Sequence, residues 1–174
     1  MTKIGGEIVM IEYRVARSSD ISGMLDLFQE LKKEGAQVGF THIEDVEELQ
    51  QQLKDENIVL YVAVDPEKGK IAGILRGKRG ASYQNHSAFM TAAVAKSYRG
   101  KQIAKELTHY GMEDLAEKGV KIARTYVYSN NKASLNTLLS CGFTISGSVH
   151  MHHFSEETGQ YVDDIIVHKL LNDK

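Results

Sequence analysis

The chain has 174 residues, with 21 Lys and Arg against 23 Asp and Glu and a formal charge of −2. That length fits one domain with a real core, and the near-even charge balance excludes the basic footprint of a nucleic-acid binder. No apolar run approaches the ~20 residues of a membrane span, no basic start followed by a long apolar core marks a secretory leader, and a single cysteine, Cys141, points to a reducing, cytoplasmic setting.

Residues 1–10 carry no strong pattern and are expected to form an irregular N-terminal extension. Residues 11–16 (IEYRVA) alternate and predict a strand. Ser18, Ser19 and Asp20 offer N-cap side chains for a helix from Ile21, and Ile21, Met24, Leu25, Leu27, Phe28 and Leu31 follow helical spacing. Gly35 and Gly39 break that helix and leave residues 35–41 as a rim. A second helix is expected to open within residues 41–48, with Val46, Leu49 and Leu53 on one face. Residues 58–64 (IVLYVAV) predict a buried strand, residues 65–69 a turn, and residues 70–78 the returning strand of a hairpin. After a loop at 80–84, residues 86–94 predict a fourth strand.

Ile103, Leu107 and Leu115 then mark a long helix that ends at Gly119. Residues 120–128 predict a fifth strand, and residues 132–140 a short helix closed by Cys141, Gly142 and Phe143. Two final strands, 143–154 and 160–170, flank a turn at 156–159. The order β-α-α-β-β-β-α-β-α-β-β is a mixed α+β pattern with a strand–helix–strand unit at its centre. One proline, Pro66, and the lack of a Gly/Ser-rich linker favour a single unit over residues 1–174.

The stretch VAKSYRGKQIA (residues 94–104) joins the fourth strand to the long helix. A strand that runs into a basic, glycine-containing turn and then a helix start binds phosphate: the free N–H groups of the first helical turn point at the anion, and the helix dipole favours negative charge there. A second constellation, Asn131, Ser134 and Gly142-Phe143, follows at fixed spacing. Asn131 also reads as the cap of the helix that starts at Lys132.

Together with the element order, these motifs resemble the GNAT superfamily of acyl-CoA N-acyltransferases, over essentially the whole chain after the first ten residues. Its R/Q-x-x-G-x-G/A signature stands here as Arg99-Gly100-Lys101-Gln102-Ile103-Ala104, and its N-x-x-A/S…G-F signature as Asn131, Ser134 and Gly142-Phe143. The resemblance implies a GNAT-like α+β fold: a mixed sheet of six to seven strands, helices on both faces, and splayed fourth and fifth strands. It also implies acetyl-CoA as cosubstrate, with no metal. The pyrophosphate would lie on Arg99 to Ala104, and the pantetheine arm would pair with the backbone of Ala92, Ala93 and Val94. Asn131 and Ser134 would stand near that arm. The acceptor would be a small amine or a protein N-terminus, attacking the thioester directly through a tetrahedral intermediate, and a homodimer is common in the family.

Two positions depart from the pattern. Gln102 replaces a glycine, which is expected to perturb affinity while its backbone stays helical. Leu138 replaces a tyrosine that protonates the leaving thiolate; the acid is then water or a residue such as Tyr126 or Tyr128, or none is needed, since a CoA thiolate is a good leaving group. His86 is the candidate base by strand position, although it reads more readily as a strand terminus that bonds a backbone group. Glu34, on the rim, is the candidate acceptor-side residue. His150, His152, His153, Asp163, Asp164 and His168 tempt a metal reading, but strand alternation puts His150 and His152 on one face and His153 on the other, so they read as pocket lining or surface. Gln102 and Leu138 also motivate the alternative of a non-catalytic CoA-binding or sensory module.

Overall fold

A computed structural model describes residues 2–4, 7–156 and 158–171. Among these residues nine strands are present: β1 Thr2–Ile4, β2 Glu7–Val9, β3 Glu12–Val15, β4 Ile58–Asp65, β5 Lys70–Arg79, β6 Ser87–Val94, β7 Ile122–Tyr128, β8 Thr144–Ser155 and β9 Gln160–Leu170. Four helices accompany them: α1 Ile21–Lys33, α2 Val46–Lys54, α3 Ile103–Glu117 and α4 Lys132–Ser140. Residues 1–10, expected to be irregular, instead carry the antiparallel pair β1–β2. The other strands form one sheet in the order β3-β4-β5-β6-β7-β9-β8. Residue 157, in the turn between β8 and β9, lies outside the described residues.

The sheet is antiparallel except between β6 and β7, which run parallel because α3 crosses over between them. These two strands pair only at Ser87↔Ile122, Ala88↔Ala123 and Phe89↔Arg124. Beyond that point β6 continues to Val94 and β7 to Tyr128 without bonding each other. The expected splay of the fourth and fifth strands is therefore present, and its mouth opens toward the turn that starts α3.

Helices cover both faces. Apolar residues of α1 at helical spacing (Met24, Leu27, Phe28 and Leu31) are buried with Phe40 and Leu49, and Phe28 stacks on Phe40 at 5.2 Å. On the opposite face α3 lies across β3 to β6. Its approach is close: a Cβ on Gly111 would come within 2.3 Å of a Leu75 methyl and 3.3 Å of the Tyr61 ring. The Tyr61 hydroxyl donates to Asp114 at 2.6 Å, fixing α3 to β4.

The start of α1 differs from expectation in its cap. Ser18–Asp20 form a 3-10 turn, and Asp20 accepts from the Arg17 N–H at 2.7 Å and from both arms of the Arg14 guanidinium, at 2.6 and 2.9 Å. This clasp ties β3 to α1. Residues Gly39–His42 also form a 3-10 turn, and α2 opens at Val46, within the expected range, capped by Asp45, which accepts from the Glu48 N–H at 2.7 Å.

Candidate active site

The turn after β6 is held by a buried anchor that the sequence motif does not reveal. The Tyr98 hydroxyl donates to Asp65 at 2.6 Å, and both side chains are buried. Asp65 also accepts the N–H groups of Glu67 and Lys68, each at 3.1 Å. Desolvation pushes the Tyr98 phenol well above its ordinary value, so it stays a donor. The anchor fastens the turn to the β4–β5 connection. Its only signal in the sequence is an aromatic residue beside the basic motif, and that spacing says nothing about a partner 33 residues away.

Two left-handed residues, Gly100 (φ +73°) and Gln102 (φ +60°), flank Lys101 and turn the chain into α3. Gln102 therefore is not in a helical conformation, as expected from the sequence, but at the N-cap of α3 in the region that favours glycine. Its carbonyl accepts from Glu106 and starts the helix. The N–H groups of the first turn, from Ile103 on, have no intrahelical acceptor and face the end of the turn. The N–H of Arg99, by contrast, is engaged by the Lys96 carbonyl. Left-handed turns that lead into a helix start form an anion-binding concavity.

The side chain of Arg99 folds back over the splay. Its Nε donates to the Val94 carbonyl at 3.0 Å, and its terminal nitrogens pair with Glu34 at the end of α1. Glu34, expected on the acceptor side, is thus tied to the turn that leads into α3. Lys101 donates to the Ser97 carbonyl and lies over the Tyr98 ring. Ala92, Ala93 and Val94 occupy the unpaired stretch of β6 on the β7 side. Asn131 caps α4 by accepting from the Ser134 N–H at 3.1 Å. Leu138 packs against the core, and Cys141 is buried. His86 stands at the other end of β6, where its carbonyl receives the N–H groups of Lys121 and Ile122. Eight residues at about 3.3 Å each put it roughly 26 Å of strand from Val94, at the closed end of the splay, so the structure does not bring it together with the other candidates.

Residues opposite one another in a sheet point to the same face. The pairs Lys78↔Phe89 and Arg76↔Thr91, the Phe89–Tyr126 ring contact at 5.5 Å, and the pair Tyr128↔Asp164 define the face that carries α1 and α2, since Arg76 lies against Phe40. Counted from the last bonded pair, Tyr128 stands level with Ala93 across the splay. Burial pushes its phenol above the ordinary value, so it too stays a donor.

Beside Tyr128, strand alternation fails. The register of β8 on β9 jumps from Val149↔Asp164 to His153↔Val162, with Met151 at φ +51°. This bulge turns both His152 and His153 toward Asp164, contrary to the expected opposite faces. Asp164 is buried. His152 Nδ1 lies 2.7 Å from one carboxylate oxygen and His153 Nε2 lies 3.1 Å from the other, although the second approach is not aligned as a hydrogen bond. The His153 ring is 4.5 Å from that of Tyr128. Outside this cluster, His150 pairs with Asp163 at 3.1 Å.

Residues 24–143 match the model of the acetyltransferase (GNAT) family. The chain belongs to the GNAT acetyltransferase family. Solved structures agree on its fold. A GNAT-family acetyltransferase from Streptococcus pneumoniae superposes with a TM-score of 0.79 at 20% identity, covering 92% of this chain and 99% of that one. A ribosomal-protein-S5-alanine acetyltransferase from Vibrio fischeri gives 0.79 at 18% identity, covering 99% and 98%. A spermidine N-acetyltransferase chimera built on the Vibrio cholerae enzyme gives 0.73 at 20% identity, covering 92% and 95%. No curated protein sequence matches the chain significantly. Identities this low establish the GNAT fold, and family membership supports acyl transfer as the general chemistry. Among the described residues no helix is long and apolar enough to cross a membrane.

Proposed function

We propose that the protein transfers an acetyl group from acetyl-CoA to a primary amine by direct attack, with no covalent enzyme intermediate. The observation that carries this reading is the open splay of β6 and β7, with the N-terminus of α3 at its mouth. The pyrophosphate takes the N–H groups of that helix start, with Arg99 and Lys101 as cations. The pantetheine arm pairs with the free backbone of Ala92 to Val94, which brings the thioester level with Tyr128.

The donor enters on the α3 face, so the acceptor reaches the thioester from the α1–α2 face. There the pair His152–Asp164 takes the place expected for His86. With Nδ1–H donating a hydrogen bond to buried Asp164, the His152 Nε2 lone pair is free to accept a proton. The acceptor ammonium gives that proton to Nε2, and the amine nitrogen attacks the thioester carbonyl. The C–N bond forms, and collapse of the tetrahedral intermediate breaks the C–S bond. The thiolate takes a proton from Tyr128, which regains one from the amide nitrogen through solvent. One proton is released overall, from His152. Alignment of the two reactants supplies much of the acceleration.

Acetyl-CoA should raise the unfolding temperature of the wild type, and Arg99→Glu should abolish that shift while leaving the unliganded midpoint near its original value. A shift that survives Arg99→Glu would remove the proposed pyrophosphate site.

A further inference from the structure

Arg76 is a guanidinium with unused donors. Among the described residues it makes no hydrogen bond and no ion pair; its contact is the face of Phe40, 5.2 Å from guanidinium carbon to ring centroid. It is half-buried, and desolvation lowers its pKa from the ordinary value. Glu48 of α2 is the carboxylate that opposes that desolvation, but Glu48 itself accepts a hydrogen bond from Gln52 and forms no ion pair with Arg76. A guanidinium removed from water without a partner is costly, and its five N–H groups match a carboxylate fork.

The position of Arg76 says which molecule would bring that carboxylate. Arg76 pairs with Thr91 of β6, one residue short of the stretch assigned to the pantetheine arm, and projects to the α1–α2 face. The cofactor phosphates belong to the other end of the arm, at the start of α3. The rim passes close by at Gly39, where an added Cβ would sit 3.7 Å from Arg76 Nη2. We infer that Arg76 binds a carboxylate carried by the acceptor, which makes the acceptor an amino-acid-like primary amine and not a polyamine. This rests on the transferase reading and on approach of the acceptor from the α1–α2 face.

The test compares acetyl transfer to a panel of free amino acids, to the corresponding amino-acid amides, and to spermidine, with wild type, Arg76→Gln and Arg76→Lys. The wild type should prefer at least one acid over its own amide. Arg76→Gln should raise KM for that acid by about 10- to 100-fold, as expected for losing charged hydrogen bonds, and leave KM for the amide and the acetyl-CoA thermal shift unchanged. Arg76→Lys should recover part of the preference. Equal use of acid and amide, better use of spermidine, or an equal loss on acid and amide in Arg76→Gln would overturn the proposal, the last by showing a merely structural role. Acetyl-CoA binding without transfer to any amine would overturn the transferase reading and this proposal with it.

Discussion

Gln102 holds the most informative backbone angle in the molecule. A left-handed φ of +60° costs a non-glycine residue about 1 kcal/mol, and Gln102 stands at the N-cap of α3, beside the proposed pyrophosphate site. Gln102→Gly should tighten acetyl-CoA binding about fivefold, read by titration calorimetry, while the denaturant midpoint moves little, because relief of strain is offset by the freer unfolded chain. Weaker binding would show that the Gln side chain contacts the cofactor. A second position is set by its neighbours. His152 is half-exposed over a carboxylate that is itself buried, and its replacement by Gln should lower kcat about 100-fold, the range for loss of a general base, with the acetyl-CoA thermal shift retained. An unchanged kcat would assign proton removal to solvent. The turn at Gly100 and the cap at Asn131 were legible in the sequence because each is local geometry: a glycine-containing turn and a helix cap. His86 was misleading because strand position along the chain does not say which end of a half-paired strand is open. His152 and His153 were hidden by a bulge, which reverses the alternation that sequence reasoning assumes.

At the scale of elements, strand and helix periods were read nearly in full, and the exceptions lie at helix starts. Asp20 was expected as a cap and instead is the clasp between β3 and α1, held by the Arg14 fork. Those hydrogen bonds hold the Asp20 carboxyl below its ordinary value of 3.8. A carboxylate depressed in the folded state contributes stability that is complete above the unfolded value and lost as pH falls through the folded one. The loss should therefore begin below about pH 4. Arg14→Gln should cost about 2–3 kcal/mol at neutral pH, since it leaves a largely buried carboxylate without its cation, and should flatten the acid limb of the stability curve, measured by urea unfolding between pH 7 and 3. An acid limb as steep as that of the wild type would place the titrating group elsewhere, with buried Asp65 the next carboxylate held low. The anchor from Tyr98 to Asp65 belongs to this scale too: it joins a turn to a hairpin across the sheet edge, and no local pattern encodes it.

For the whole molecule, the parallel step from β6 to β7 is the feature from which the rest follows. A crossover helix makes the two strands parallel, their pairing stops at Phe89↔Arg124, and the gap beyond leaves unpaired backbone facing a helix start. One face of the gap belongs to α3 and, in the proposed reading, to the donor; the other belongs to α1, α2, Arg76 and the His152–Asp164 pair. The family resemblance, carried by the element order and two motifs, made the splay legible in advance; the side chains that four separate strands bring to one face beside it were not, because no local pattern encodes them. The most direct measurement is acetyl transfer itself: the protein incubated with acetyl-CoA and a panel of primary amines, with thiol release followed in time and the amide product identified by mass spectrometry. The predicted result is catalytic thiol release matched one for one by an N-acetylated amine. Saturable binding of acetyl-CoA with no amide formed on any amine would contradict it.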